Sequence, residues 1–262
     1  MTALDPDRLS AGLSPLTRER LTELEVFDSI DSTNTYLGSV SAPPAGRLRV
    51  AIADSQTAGR GRLNREWVSP AGQGLYQSVA YTLTGMRDDL SALTLALGVG
   101  VLEALARCGF DAVELKWPND LIADGRKLGG ILLDRVVGEG RPRVVAGLGL
   151  NLNAGPADFP AALQGRATSL LLATGRAPRP GEVTGAVVRR IGEQLDRFGR
   201  EGRGRASVSI SIPGAGPGRP RRGGPSIGRR IVFIRLGQRR QRFFPAPPPP
   251  GRQLPGHPVV VP

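Results

Sequence analysis

The chain of 262 residues holds one cysteine, Cys108, and one histidine, His257. A single thiol excludes an internal disulfide and a cysteine-rich metal site, and it fits a reducing, cytoplasmic setting. A single imidazole, placed near the end of a proline-rich stretch, argues against histidine-dependent triads and histidine-rich zinc sites. The opening residues, MTALDPDRLSAGLSPL, lack the basic start and continuous apolar core of a secretory leader. No apolar run approaches the roughly 18–20 residues that span a bilayer, so no membrane role is expected. Aromatics are few at 5%, yet 40% hydrophobic residues suit a folded globular chain. If the chain is an enzyme, lysine, arginine, asparagine, glutamine and a bound metal must do the polar work.

Acidic residues vanish toward the C-terminus. Residues 203–262 contain twelve arginines and no acid, which accounts for the whole net charge of +12. Residues 1–202 hold 23 basic and 23 acidic side chains, so the body is neutral. Twelve of the 23 prolines also fall after residue 202, and only IVFIRL, residues 231–236, has the pattern of a strand. Proline removes backbone donors, so most of this tail is expected to be poorly ordered. Arginine, glycine and proline without acids is also what a shifted reading frame in a GC-rich gene would produce. A basic tail can bind nucleic-acid backbones without specificity, which is one rival reading of function.

What the body does contain is strand and helix pattern in irregular alternation. LRVAIAD (48–54) and LYQSVAYTL (75–83) are β-branched and aromatic, as strands are. Leu90, Leu93, Leu97, Val101 and Leu105 recur at helical spacing ahead of Gly109, a suitable C-cap. VELKW alternates and stops at Pro118, while GGILLDRVV and RVVAGLGLNL form a hairpin pair across GEGRP. Residues 181–200 give a final amphipathic helix. The fold class is α+β, a mixed sheet with flanking helices.

Five stretches carry chemistry. DSTN (31–34) supplies hydroxyl and amide groups ahead of a helix, where an N-cap is the plain alternative. DSQTAGRGRLNREW (54–67) strings Gln56, Arg60, Gly61, Arg62, Arg65 and Trp67 along a glycine-rich loop. KWPND (116–120) exposes Lys116 and Asn119 where a strand ends, beside a tryptophan expected to be buried. GRKLGGILL puts Lys127 just ahead of Gly129 and Gly130, and GLGLNLN (147–153) alternates Gly147 and Gly149 with leucines before Asn151. Glycines there leave room for a ligand against the backbone, or mark a bulge.

In this order and at these spacings, the five resemble the catalytic domain of the biotin–protein ligases, from about Phe27 to about Phe198. The resemblance implies a fold related to class II aminoacyl-tRNA synthetases and lipoate ligases. It implies that biotin is adenylated with MgATP, releasing pyrophosphate, and then passed to one lysine of a biotin carboxyl carrier protein of acetyl-CoA or a related carboxylase. Biotin contacts are implied at Ser32, Thr33, Asn34, Gln56, Arg60, Gly61, Arg62, Lys116, Gly130, Gly147 and Gly149. ATP contacts are implied at Arg65, Trp67, Asn119, Lys127 and Asn151, the magnesium ligands being unassigned. Lys116, Arg60 and Arg62 are the catalytic candidates, and the arginine loop is expected to be a mobile lid.

The chain is thus expected to divide into a short extension (1–26), a catalytic domain (27–200) and the tail (201–262), which stands where relatives carry a small SH3-like barrel. Asn64 replaces a glycine usual in this loop, and asparagine tolerates a left-handed backbone. Too few residues precede the domain for the helix-turn-helix of the repressor members, so specific DNA binding is not expected. A monomer or a homodimer is implied. The rivals are a lipoate or octanoate ligase, which shares the fold but carries a different Arg-Arg-x-x-Gly-Gly-Gly type stretch, and a biotin-binding but catalytically impaired remnant.

Overall fold

The computed structural model describes residues 9–10, 13–83, 90–136, 143–200 and 233–234. The remainder of the tail and the turn GEGRP (138–142) lie outside the described residues, as do the expectations attached to them.

Eight strands form one sheet, with β1 (Leu21–Ile30), β2 (Leu48–Gln56), β3 (Gly74–Thr82), β4 (Glu114–Lys116), β5 (Asp120–Ala123), β6 (Arg126–Val136), β7 (Arg143–Asn151) and the two-residue β8 (Phe233–Ile234). Their order is β1-β2-β3-β7-β6-β5-β4-β8. Only β1 and β2 run parallel, and every other neighbour is antiparallel. The sheet is therefore mixed, as the irregular alternation of elements implies. The pairing of β6 with β7 is the expected hairpin, and β8 falls within IVFIRL.

Because side chains alternate along a strand, the register sorts residues onto two faces. Val50, Val79 and Ala146 stand in line and belong to the main core, under α3 (Leu90–Arg107) and α5 (Pro180–Arg200). Leu93, Leu97, Val101 and Leu105 of α3 are fully buried there, at the spacing seen in the sequence. From α5, Val183, Val187, Ile191, Leu195 and Phe198 complete the layer. Gly98 lets α3 approach closely, since a Cβ would meet Leu115 at 2.5 Å.

One expectation needs correcting. Helix α3 spans 18 residues with a mean hydropathy of 1.6, long and apolar enough by composition to cross a membrane. Its apolarity has a different cause. The helix is sandwiched between the sheet and α5, and a helix covered on both sides is apolar nearly all round.

The opposite face carries α2 (Thr33–Ser39), whose Leu37 packs on Ala51, Ala80 and Val145. Arg143 anchors the end of that helix by donating to the carbonyls of Gly38 and Val40. Two short helices, α1 (Pro15–Arg20) and α4 (Leu170–Thr174), are capped by Ser14 and Ser169. Among the described residues no helix beyond α2 covers this second face, and there the candidate residues gather.

Candidate functional site

On the uncovered face, Ala53, Tyr76, Gly149 and Gly130 form one row across β2, β3, β7 and β6. The next row is Ala51, Ser78, Gly147 and Leu132. Small residues in both rows make a floor, and a cleft of about 830 Å³ opens above it. That size suits a ligand as large as a nucleotide conjugate. All sixteen candidate residues line this one cleft: Ser32, Thr33, Asn34, Gln56, Arg60, Gly61, Arg62, Arg65, Trp67, Lys116, Asn119, Lys127, Gly130, Gly147, Gly149 and Asn151.

The glycine floor is not bare, which corrects one detail. A Cβ on Gly147 would sit 2.4 Å from Asn34 Oδ1, and one on Gly149 would sit 2.4 Å from Trp67 Nε1. The space freed by these glycines is taken by the protein's own asparagine and tryptophan, which become the surface a ligand meets. Gly129 serves the sheet instead, since a Cβ there would lie 2.6 Å from the Gly149 carbonyl oxygen.

At one end of the cleft the DSTN stretch opens α2. Ser32 is the N-cap, accepting from Thr35 N, which is the plain reading of this stretch, and it also lines the cleft. Ser32, Thr33 and Asn34 are all buried. Their polar groups form a directed chain. Thr33 N donates to Gln56 Oε1 at 2.9 Å, and the Thr33 and Ser78 hydroxyls lie 2.8 Å apart. Ser78 donates to Asn34 Oδ1 at 2.8 Å, and Asn34 Nδ2 donates to Asp134 Oδ2 at 2.9 Å. Gln56 Nε2 donates in turn to Ser69 Oγ. Burial, reinforced by the charge of Asp54, pushes the Tyr76 hydroxyl well above the usual phenol range, so it remains a neutral donor to the Pro70 carbonyl.

The arginine loop is a closed hairpin. Gln56 pairs with Ser69, Trp67 N donates to Gly59 O, and Gly61 N donates to Arg65 O. Gly59 is required, because a Cβ would lie 2.2 Å from the Trp67 carbonyl. At the tip, Leu63 (φ 58°) and Asn64 (φ 56°) are both left-handed, the pattern of a tight type I′ turn. Asparagine suits that conformation, whereas leucine does not, and Leu63 is 82% exposed. Two of the loop's arginines make side-chain contacts: Arg60 Nη1 donates to Asp134 Oδ2 at 3.1 Å, and Arg62 Nη1 donates to Asn119 Oδ1 at 3.0 Å.

The far side of the cleft is built by the β4–β5 turn, where Trp117–Pro118 is cis. Trp117 is 54% exposed, which corrects its expected burial. Asn119 is held by its own donation to Ile131 O. Lys127 pairs with Asp120 at 2.9 Å and lies 5.5 Å from the Trp67 ring centroid. Asn151 donates to the Thr168 carbonyl. Lys116 and Arg65 have no ion-pair partner among the described residues. The Trp67 indole N–H is buried, also without an acceptor among the described residues. Six basic and three acidic residues line the cleft, so it attracts anions although the body is neutral. Among the described residues, no cluster of three acidic, histidine or cysteine side chains could cage a metal.

The sequence motifs did not point to Ser78 or Asp134. Period-two alternation could have found them, since Ser78 shares a face with Tyr76, and Asp134 with Gly130 and Leu132.

A mixed sheet with its long helices on one face and a cation-lined cleft on the other is an architecture of the class II synthetase type. Comparison with known proteins agrees. Residues 26–151 match the biotin/lipoate A/B protein ligase family. The biotin protein ligase from Aquifex aeolicus, solved with biotin and ATP, is 34% identical; the match covers 69% of this chain and 73% of that one, with a TM-score of 0.58. The bifunctional ligase/repressor BirA of Bacillus subtilis is 36% identical over 152 residues, 58% of this chain and 46% of that protein. The biotin–acetyl-CoA-carboxylase ligase of Mycobacterium tuberculosis is 34% identical over 174 residues, 64% and 62% of the respective lengths. The chain spans about half the length of the ligase/repressor relatives it matches. It belongs to the biotin/lipoate A/B protein ligase family.

Proposed function

We propose that the chain is an ATP-dependent biotin–protein ligase, with residues 27–200 as its catalytic domain. The observation that carries this reading is the sorting of one cleft into two chemistries. A buried donor/acceptor chain at one end suits a neutral ureido ring, and free cations at the other suit carboxylate and phosphate. The relatives point the same way, since the Aquifex protein was solved with both biotin and ATP.

Adenylation requires a carboxylate oxygen to attack the α-phosphorus of ATP while the bond to pyrophosphate breaks. Two anions must meet, so Coulomb repulsion is the obstacle, and no protein nucleophile is needed. Lys116, with no ion-pair partner among the described residues, supplies a positive charge in the cleft wall that can follow the negative charge as it moves. Arg60 and Arg62 approach from the loop above and hold the acyl and phosphate oxygens. Alignment of this kind can contribute roughly 7–11 kcal/mol. Trp67, Lys127, Asn119, Asn151 and Arg65 form the nucleotide side, with magnesium entering as part of MgATP. The closed hairpin keeps water from the mixed anhydride until an acceptor lysine attacks its carbonyl carbon and AMP leaves. The acceptor is a biotin carboxyl carrier protein, and the setting is the cytoplasm, where ATP and such carriers meet.

The test is direct. The full chain, MgATP, biotin and a purified biotin carboxyl carrier domain should yield biotin-dependent pyrophosphate release and a streptavidin-reactive carrier. A lipoate-dependent signal with none from biotin would sink the assignment.

A further inference from the structure

A single carboxylate joins the two halves of the site. Asp134 does not line the cleft, yet its Oδ2 accepts both from Asn34 Nδ2 at 2.9 Å and from Arg60 Nη1 at 3.1 Å. Asn34 belongs to α2, Arg60 to the loop, and Asp134 to β6, so three segments distant in sequence meet on one oxygen. An ionised carboxylate can only accept. That fixes the direction of the bonds directly behind it: Asn34 must turn its nitrogen to Asp134 and its oxygen to Ser78, and Ser78 must donate, which leaves its oxygen to accept across the 2.8 Å contact from Thr33, whose hydroxyl also lies 3.3 Å from Gln56 Oε1.

We infer that Asp134 is a positioning residue for the ligase reaction, with two linked effects. It sets the hydrogen-bond polarity of the buried floor that the ligand ring meets, and it docks the arginine loop over that floor before any ligand arrives. An uncharged amide in its place could donate as well as accept. Asn34 would then be free to flip, Ser78 would lose its imposed direction, and Arg60 would lose its counter-ion. Asp134 is half-buried, with 29% of its side chain exposed, and it points toward a solvated rim, so replacing it leaves the main core intact.

This inference rests on the proposed function for its ligand, and its test has one arm that needs none. Asp134→Asn, nearly identical in shape, is compared with the natural chain. In the ligand-free protein, exchange of the Gly61 and Trp67 amides should quicken by about tenfold once the ionic hold on the loop is gone. By calorimetry, biotin should bind about tenfold more weakly, while ATP affinity changes by less than about twofold. Asp134→Glu, which keeps the charge, should recover part of the biotin affinity. Adding Asp134→Asn to Arg60→Ala should cost less than the two changes singly, because they remove one interaction. Unchanged loop exchange together with unchanged biotin affinity overturns the inference, as does an equal loss of biotin and ATP affinity. If loop exchange quickens but the natural chain binds no biotin, the docking role stands and the proposed function fails.

Discussion

Gly147→Ala adds one methyl group to the floor and tests whether Asn34 is the surface that a ligand meets. The new Cβ would lie 2.4 Å from Asn34 Oδ1, 3.0 Å from its Cγ and 3.3 Å from Ser78 Oγ. Real Cβ atoms do not approach oxygen at 2.4 Å, so either the strand or the asparagine must move, and β7 is held on both sides by neighbouring strands. Asn34 is the part that yields. To clear the methyl it must shift by about an ångström, which breaks its bond from Ser78 and strains its bond to the charged Asp134. The first is worth about 1 kcal/mol and the second about 1.5–3 kcal/mol, giving about 2–4 kcal/mol for a displaced Asn34. A loss of that size in a ligand-contacting group weakens binding by about thirtyfold to a thousandfold.

The assay pairs biotin titration calorimetry with thermal unfolding. The variant should melt at a lower temperature and bind biotin weakly if at all. In an Asn34→Ala background the same glycine change should no longer lower the melting temperature, because the colliding oxygen is gone. The refuting result is a Gly147→Ala protein that binds biotin as the natural chain does. A full melting penalty in the Asn34→Ala background would show that the collision is elsewhere.

Four further changes probe other parts of the molecule. Lys116→Ala should lower adenylate formation by at least about a hundredfold, the scale of losing one preorganised charge, and near-normal pyrophosphate release would refute its role. Arg62→Gly removes the tip's hold on Asn119, so biotinyl-AMP should escape and label bystander lysines, detected by streptavidin on an inert protein present in the mixture. Leu63→Gly relieves a left-handed leucine that costs about 1–2 kcal/mol, partly offset by the flexibility of glycine, so hydrogen exchange in the loop should slow by several-fold. Glu25 is half-buried, which opposes its ionisation, but hydrogen bonds from Arg49 and Tyr36 prevail and hold its carboxyl below the ordinary 4.5. A depressed value means that stability is present above the ordinary value and lost as pH falls through the lowered one. Urea titrations should therefore show Glu25→Gln to be destabilised at neutral pH, with the gap closing only below pH 4.5.

The layered fold and most of the cleft were legible because both obey local rules. Helix α3 declared itself through leucines and valines at helical spacing, and β6–β7 through two apolar runs about a turn. Strand β1 did not, since LTELEVFDSI puts acids at Glu23 and Glu25 and reads like surface. Those acids are where they are because Arg49 of β2 lies between them and pairs with both, a partnership between chain segments that no window of sequence contains. Trp117 was misjudged for a related reason. Its position on a turn beside a cis proline overrides its hydrophobicity, and half of it faces solvent. Asp134 escaped notice because an acid inside GGILLDRVV belongs to no motif. Its meaning appears only when β6, α2 and the loop are brought together.

The same geometry offsets part of the charge in a cleft lined by six basic side chains. At 4 Å, two unit charges interact by about 1 kcal/mol in water but about 4 kcal/mol near a protein surface, so crowded arginines and lysines repel appreciably. Two of them are balanced, Arg60 by Asp134 and Lys127 by Asp120. Among the described residues Lys116 and Arg65 have no acidic partner, so theirs are the charges most open to an anion. A ligand carrying only a phosphate would satisfy the free cations but leave the polar floor unmatched. One carrying only a ring would do the reverse, so this division of charge favours a molecule that presents both.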